Sequence, residues 1–198
     1  MNLLFETESK TVPITKEMVR AAYRKVKSNK GSAGVDRESL EEFQQDLSGN
    51  LYKIWNRLAS GSDHPQPVRE VAIPKSNGGK RKLGIPTVSD RIAQQVVKSY
   101  LEPRLEAVFH KDSYGYRPSK SAHQAIKQVG ENVRTYSWVV DMDIKSFFDE
   151  VDHELLMKAL DRHVAEKWVK MYIRRWLESP VQTKDGGLIK WKYFVRTA

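Results

Sequence analysis

Four aspartates lie in one short and otherwise largely apolar stretch, "VVDMDIKSFFDEVDHELL", at residues 139–156. Side chains alternate along an extended strand, so Asp141 and Asp143 would share one face, with apolar residues on the other. Two partly buried carboxylates on one face are costly unless a cation neutralises them. Mg²⁺ takes oxygen ligands of this kind together with substrate phosphates. The spacing therefore predicts a strand that carries a magnesium site.

The same residues also allow a structural interpretation, in which the acids cap a helix or face water. Asp152 is placed to cap the helix predicted after it, and Asp149 suits a turn. Phe148 could press on a bound substrate or fill the core. On these residues alone, both interpretations stay open.

A second group of residues with chemical potential is the glycine-rich segment "IPKSNGGKRKLGIP". Alternating strands around the turn at 77–79 predict a hairpin. Its cations are Lys75, Lys80, Arg81 and Lys82. Such a ribbon can lay ammonium and guanidinium groups along a phosphate chain. It lacks the spacing of a Walker loop, and a solvated hairpin tip is the alternative.

Aromatic residues alternate with cations in "DSYGYRPSKSA". Tyr114, Arg117 and Lys120 belong to this pattern, which is used to stack bases and hold a nucleic-acid backbone. The alternative is a packed tyrosine loop in front of a helix.

The overall composition favours a polyanionic partner. The 198 residues include 34 Lys+Arg against 25 Asp+Glu, a formal net charge of +9. A solvated basic surface is the other explanation. The chain has no cysteine, so any metal must be held by oxygen or imidazole ligands. No apolar run approaches the roughly 20 residues that cross a bilayer, and no signal peptide is recognisable, so we expect a cytoplasmic protein without a membrane partner.

The elements that would position these residues are mostly helices. Periodicity predicts helices over 14–31, 34–47, 51–61, 89–102, 121–133, 152–160 and 164–179. Pro103 is expected to interrupt the fourth. A strand is predicted over 137–144, and a second hairpin turns at 185–187. The order of elements indicates an α+β fold, helix-rich with antiparallel hairpins.

Taken together, the sequence resembles the reverse transcriptases encoded by bacterial group II introns. The resemblance lies in four ordered motifs, "NKGSAGVD", "IPKSNGGKRKLGIPTVSDRIAQQ", "YGYRPSKSAHQAI" and "DMDIKSFFDEVDHELL". It implies a right-hand polymerase with its fingers and part of its palm. Residues 1–62 would form an N-terminal helical extension of the fingers, 63–136 the fingers with the basic hairpin, and 137–198 the start of a truncated palm.

The resemblance also implies roles for individual residues. Asp143 would be the catalytic, metal-binding aspartate, with the Ile144 carbonyl helping to hold Mg²⁺ and Asp141 in a supporting place. Phe148 would lie under the sugar of the incoming deoxynucleoside triphosphate, and Lys75 and Arg81 would grip its phosphates.

The resemblance further implies an RNA template, a primer and the parent intron RNA as partners, the last in a maturase role. Residues expected to contact RNA are Arg20, Arg24, Lys27, Lys30, Tyr114, Arg117 and Lys120. The glycine-proline-glutamine-glycine segment and the Tyr-x-Asp-Asp hairpin of the family are absent from these 198 residues. We therefore expect this chain not to polymerise alone, and its incomplete palm to favour self-association.

Three other functions are compatible with parts of this sequence. The chain could be a non-catalytic RNA-binding module, in which the acids are structural. A nucleotide-sugar transferase could use the Asp-x-Asp pair for its metal, but gives the basic hairpin no role. Retron-type and CRISPR-associated reverse transcriptases are relatives within the same family, and the hairpin motif favours the intron lineage.

Overall fold

Eight helices and four strands make up the described part of the protein, a computed structural model that covers residues 12–74, 78–145 and 147–190. The side chains of Arg81, Phe148 and Asp149 lie outside this description. The helices are α1 Lys16–Asn29, α2 Leu40–Gln45, α3 Leu47–Ser60, α4 Val88–Glu106, α5 Ala122–Asn132, α6 Phe147–Glu150, α7 His153–His163 and α8 Lys167–Leu177. The strands are β1 Val68–Pro74, β2 Lys80–Ile85, β3 Val181–Gln182 and β4 Leu188–Ile189.

Helix α1 begins and ends as its sequence predicts. The Thr15 hydroxyl accepts a hydrogen bond from the Met18 N–H at 3.3 Å, which satisfies one of the free amides of the first turn. Ile14 and Val19 are both buried, in the positions of a hydrophobic staple. The helix ends at Asn29, and the N–H of its C-cap residue Lys30 donates to the Lys27 carbonyl at 3.2 Å. Local signals therefore fix both ends.

Helices α2 and α3 pack beside α1 through the apolar residues that their periodicity predicts. Ser39 and Glu42 form a capping box at the start of α2. Phe43 lies in the core and its ring stacks with that of Tyr23, with 6.0 Å between the centroids. The indole N–H of Trp55 donates to the Ile14 carbonyl at 2.9 Å. These contacts join the first three helices into one layer.

The four strands form one small mixed sheet in the order β2-β1-β3-β4. Both predicted hairpins are confirmed, since β1 pairs antiparallel with β2 and β3 antiparallel with β4. The parallel pairing of β1 with β3, through Val68 opposite Val181, was not predicted. It joins segments more than a hundred residues apart, and no local pattern in a sequence specifies such a contact.

Helix α8 and the residue that follows it bind the backbone from the end of α3 to the segment that precedes β1. The Tyr172 hydroxyl donates to the Leu58 carbonyl at 2.7 Å. The Arg175 guanidinium donates to the carbonyls of Gly61 and Asp63, at 2.8 and 2.6 Å. Ser179, just after the helix, donates to the Gln66 carbonyl at 2.9 Å. The segment that breaks the helical pattern is therefore held by side chains of α8.

The prediction that Pro103 interrupts α4 is wrong, because the helix continues to Glu106. A proline inside a helix removes one backbone donor, but other contacts can hold the turn that follows. Here the Arg117 guanidinium binds the Glu106 carboxylate at 2.6 Å and also donates to the Glu106 carbonyl at 3.4 Å. The end of the helix is therefore stabilised by an arginine outside it.

The predicted strand over 137–144 is also wrong, because these residues form no strand in the structure. Trp138 is 90% exposed and Met142 86%, so alternation produces no buried face. A strand needs a neighbour for its backbone hydrogen bonds. Among the residues that the structure describes, none pairs with this segment. Asp149, expected in a turn, lies within α6.

The contacts divide the chain into two compact units. One comprises residues 1–98 and 148–198, and the other Ser99–Phe147. These contacts do not test the predicted division into an N-terminal extension of the fingers, the fingers and the palm. That division stays a prediction. Within the described ranges, none of the helices is long and apolar enough to cross a membrane.

Candidate nucleic-acid interface

One face of α1 carries the four N-terminal cations expected to contact RNA. Arg20, Arg24, Lys27 and Lys30 are all exposed, and the first three follow one another at helical spacing. The opposite face of the helix is buried through Val19, Ala22, Tyr23 and Val26. In the described part of the chain, none of the four cations forms an ion pair. Arg20 interacts electrostatically with the exposed Glu17, one turn before it, and the charge of Arg24, Lys27 and Lys30 is available to an external anion.

The loop after α1 packs against the start of α4, so two of the four sequence motifs meet in space. Gly34, from "NKGSAGVD", lies so close to the chain at Thr87 that an added Cβ would approach the Thr87 nitrogen and Cα at 2.6 Å. Thr87, from "GIPTVSDR", is itself fully buried. Only a glycine allows this approach, which explains the residue at position 34.

A buried acid sits beside this junction. Asp90 is 6% exposed, and its carboxylate accepts hydrogen bonds from the Thr87 hydroxyl at 2.7 Å and the Gln66 N–H at 3.3 Å. Burial raises the pKa of Asp90 to about 6, against the lowering effect of these two donors. Burial also raises the pKa of Asp63. Asp90 was not singled out from the sequence, since nothing in its surroundings distinguishes a buried cap from an exposed one.

The basic hairpin is present, but only part of its predicted site can be placed. Lys82 is exposed and pairs with Glu70 across the strands, with 3.2 Å between Nζ and Oε2. Arg81 lies in β2 opposite Ile73, while its side chain is outside the described residues. Lys75 also lies outside them. The grip of Lys75 and Arg81 on a triphosphate stays a prediction.

In the unit Ser99–Phe147, the tyrosine and cation loop is built around Arg117. Besides Glu106, its guanidinium donates to the carbonyls of His110 at 2.6 Å and Ser113 at 2.9 Å, and the side chain is 9% exposed. Lys120 donates to the Lys111 carbonyl at 2.8 Å. These contacts favour the packed-loop alternative for both cations.

The two tyrosines of this loop differ in exposure. The Lys120 ammonium lies 4.8 Å from the centroid of the Tyr114 ring, and Tyr114 is half-buried. Tyr116 is 89% exposed and has a positive φ of 57°. A ring held open to solvent on such a backbone can stack with a base. Tyr116 is therefore the better placed of the two for a contact with nucleic acid.

The acidic segment does not form a metal site in the described residues. Asp141, Asp143 and Ile144 are exposed and lie in irregular structure. Across the described ranges, no three His, Cys, Asp or Glu side chains are grouped so that they could hold a metal ion. The residues described here therefore do not fit Mg²⁺ on their own. Asp152, by contrast, caps α7 as predicted, accepting from the Leu155 N–H at 2.9 Å.

Comparison with known proteins connects this arrangement to one family. The family model described as "Reverse transcriptase (RNA-dependent DNA polymerase)" matches residues 73–196. Protein YkfC of Escherichia coli is 40% identical over 157 residues, covering 76% of this chain and 41% of that protein. The group II intron-encoded protein LtrA of Lactococcus lactis is 34% identical over 175 residues, covering 87% of this chain and 28% of that protein.

A plant protein is also similar over a shorter stretch. The mitochondrial nuclear intron maturase 1 of Arabidopsis thaliana is 30% identical over 105 residues, covering 53% of this chain and 14% of that protein. The chain thus spans less than half the length of each of these relatives. The family model covers more than half of the chain, and the names of two of these relatives agree with the family that the sequence resembles. The chain belongs to the reverse transcriptase family of RNA-dependent DNA polymerases.

Proposed function

We propose that the protein is the RNA-directed DNA polymerase of a group II intron, and that it also binds its intron RNA as a maturase. The names of its relatives support the intron lineage over retron-type or CRISPR-associated enzymes. The described residues would contribute the fingers and the start of the palm of a right-hand polymerase. In the fingers and the start of the palm, most of these residues would bind RNA and the incoming nucleotide.

The observation that carries the proposal is the exposed basic face of α1. Arg20, Arg24 and Lys27 stand on a helix whose other side is anchored in the core, with Lys30 at its end. A fixed row of cations binds phosphates at a lower entropic cost than cations on a mobile tail. In the other compact unit, Ser99–Phe147, the exposed ring of Tyr116 offers a separate surface on which a base can stack. The proposed ligand is therefore single-stranded or partly paired RNA.

The roles at the reacting centre belong to the same proposal. Asp143 would be the catalytic, metal-binding aspartate, and together with the Ile144 carbonyl it would hold Mg²⁺ once further acids complete the site. Lys75 and Arg81 would bind the phosphates of a deoxynucleoside triphosphate, and Phe148 would lie under its sugar. Their support is the match of this segment to the family model.

Salt dependence of RNA binding tests the basic face directly. The 198-residue chain is titrated with a fluorescent single-stranded RNA at several salt concentrations, and log K is plotted against log[salt]. Each phosphate contact contributes about 0.7 to the slope for single strands. Replacing Arg20, Arg24, Lys27 and Lys30 by glutamine should reduce the slope by up to about 3. Affinity that does not depend on salt would contradict the proposal.

A matched variant separates this face from the overall positive charge. Lys127, Lys158, Arg162 and Lys184 are also exposed, and replacing them by glutamine removes the same four charges. This control should leave the slope much closer to that of the unmodified chain. Equal losses in the two variants would mean that RNA binds to the basic surface without preference.

Primer extension tests the catalytic part of the proposal. In the whole protein, Asp143→Asn should reduce extension of a primer on an RNA template by several orders of magnitude, while RNA affinity is retained. Unchanged extension would support the alternative of a non-catalytic RNA-binding module. The 198-residue chain alone should show no extension.

A further inference from the structure

Two arginines hold the loop that follows α1 by its backbone. The Arg91 guanidinium, from the first turns of α4, donates to the carbonyls of Lys30 at 3.3 Å and Ser32 at 3.1 Å. The Arg69 guanidinium, from β1, donates through both Nε and Nη2 to the Ala33 carbonyl, at 3.1 Å for Nε. Three of four consecutive carbonyls in the loop are therefore bound by guanidinium groups.

The surroundings of these arginines fix the loop from several sides. An added Cβ at Gly31, where φ is +116°, would collide with the Arg91 guanidinium. Gly34 lies against the backbone of Thr87 at the other end of the loop. The loop is thus clamped between β1 and α4, and Lys30 is the basic residue at its beginning. Its conformation depends on partners that lie 36 and 61 residues further along the chain.

Arg91 is poorly placed to bind phosphate itself. Both terminal nitrogens are engaged with loop carbonyls, and its Nε is buried without a hydrogen-bond partner. A guanidinium that donates in two directions to backbone carbonyls would have to give up these bonds to reach a phosphate. Arg91 would therefore contribute to nucleic-acid binding indirectly, by fixing the conformation of the loop.

We propose that Arg91 and Arg69 are positioning residues for RNA binding, which fix the loop 30–34 so that Lys30 continues the basic face of α1. This inference rests on the proposed function, since it names the residues that give the RNA-binding face its shape. The two arginines contact the loop carbonyls, and Lys30 contacts the phosphate.

A substitution that keeps the charge separates positioning from direct contact. In Arg91→Lys an ammonium group remains, but it cannot span the two carbonyls that the planar fork engages. In Arg69→Lys the paired N–H groups that share the Ala33 carbonyl are replaced by one ammonium group without the fixed fork geometry. If either arginine bound phosphate directly, its lysine variant would retain most of the affinity and the same salt slope. If the arginine positions the loop, we expect affinity for single-stranded RNA to fall about tenfold and the slope to fall by about 0.7.

The salt slope also distinguishes a change in RNA binding from a simple loss of folded protein. A smaller folded fraction lowers the apparent affinity equally at all salt concentrations, and leaves the slope unchanged. Arg162→Lys, at an exposed position of α7, is the matched control and should bind as the unmodified chain does. The two positioning variants touch different elements, so each provides a check if the other does not fold.

A double variant completes the test. In the Lys30→Gln background, adding Arg91→Lys should cost little more, because the phosphate contact that it supports is already gone. Independent losses, or a slope unchanged in both lysine variants, would overturn the positioning role while leaving RNA binding by the basic face intact. If the unmodified chain shows no salt-dependent RNA binding at all, the proposed function fails with it. The two failures are thus distinguishable.

Discussion

The two compact units of the chain differ in how their apolar residues are used. In the unit of residues 1–98 and 148–198, every helix of more than ten residues has buried side chains, and Ile92, Leu58 and Tyr172 are completely enclosed. In Ser99–Phe147, Leu101 is the one buried apolar residue among those described. Helix α5 has no buried residue, although its periodicity is clear. A regular pattern is therefore sufficient for a helix but not for a core.

The difference shows what an amphipathic pattern does and does not specify. Ile126 and Val129 in α5 and Val133 at its C-cap follow the expected spacing, yet all three are at least half exposed. Helical spacing and the capping box at Ser121 form the helix locally. Burial requires a second surface, and that surface is not encoded in the helix itself.

The two units should differ most in how much stability they lose when one isoleucine in each is replaced by alanine. Ile92→Ala, at a fully enclosed position, should lower the free energy of unfolding by about 2–5 kcal/mol, since it removes buried methyl groups and leaves a cavity. Ile126→Ala, at a position 69% exposed, should change it by less than about 0.5 kcal/mol. Urea unfolding of both variants measures this. Similar losses would mean that the two units are equally packed.

Much of the fold could be predicted because its signals are local. The cap at Thr15, the capping box at Ser39 and the two glycine turns each lie within a few residues of the element they define. The strand at 137–144 failed because alternation describes a strand only when a neighbour exists. Helix α4 continues past Pro103, and the contact of Arg117 with Glu106 at its end is not visible in the sequence.

The candidate site was predictable in part for the same reason. The exposure of Arg20, Arg24 and Lys27 follows from helical spacing, and the structure agrees. The function of Arg91 as a clamp of the loop depends on a contact across 61 residues. A sequence shows such an arginine only as one more positive charge.

The next contrast concerns pH, since the tightly packed unit holds a buried acid. Because burial raises the pKa of Asp90 to about 6, the folded protein binds its proton more tightly than the unfolded chain does. The contribution of Asp90 to stability is therefore greatest below about pH 4, and falls by up to about 3 kcal/mol as the pH rises through 6. Above that range it is constant.

Asp90→Asn should remove this part of the pH dependence, because the amide oxygen can still accept from Thr87 and Gln66 while no charge forms. Urea unfolding between pH 4.5 and 7.5 would show the variant gaining on the unmodified chain as the pH rises. Asp63 shares the direction of the shift, so Asp63→Asn serves as a comparison. Parallel stability curves for Asp90→Asn and the unmodified chain would refute the assignment.

Replacing one glycine by alanine in each unit compares how closely the backbone is packed in the two units. Gly34→Ala should destabilise its unit by about 1–3 kcal/mol, because the new Cβ meets the Thr87 backbone. Gly130→Ala, in α5 with nothing within 4 Å of the added atom, should stabilise its helix by about 0.5–1 kcal/mol. Urea unfolding measures the first effect, and hydrogen exchange of the α5 amides the second. Opposite signs are the expected result, and losses at both positions would place a packed neighbour against α5.

The smallest effect is expected for self-association of the chain through the exposed apolar side of α5. Ile126, Val129 and Val133 present their side chains to solvent, and exposed apolar surface favours association. We expect light scattering to detect self-association that increases with concentration. A weak contact that buries about 40 Å² of this apolar surface contributes about 1 kcal/mol, so replacing the three by glutamine, which keeps the helix, should raise the dissociation constant about fivefold. The matched control Lys127→Gln lies on the same helix and should leave it unchanged. A chain that stays monomeric at high concentration would show that the exposed apolar residues of this unit do not cause self-association. If Lys127→Gln raised the dissociation constant as much as the triple replacement does, the association would depend on charge instead.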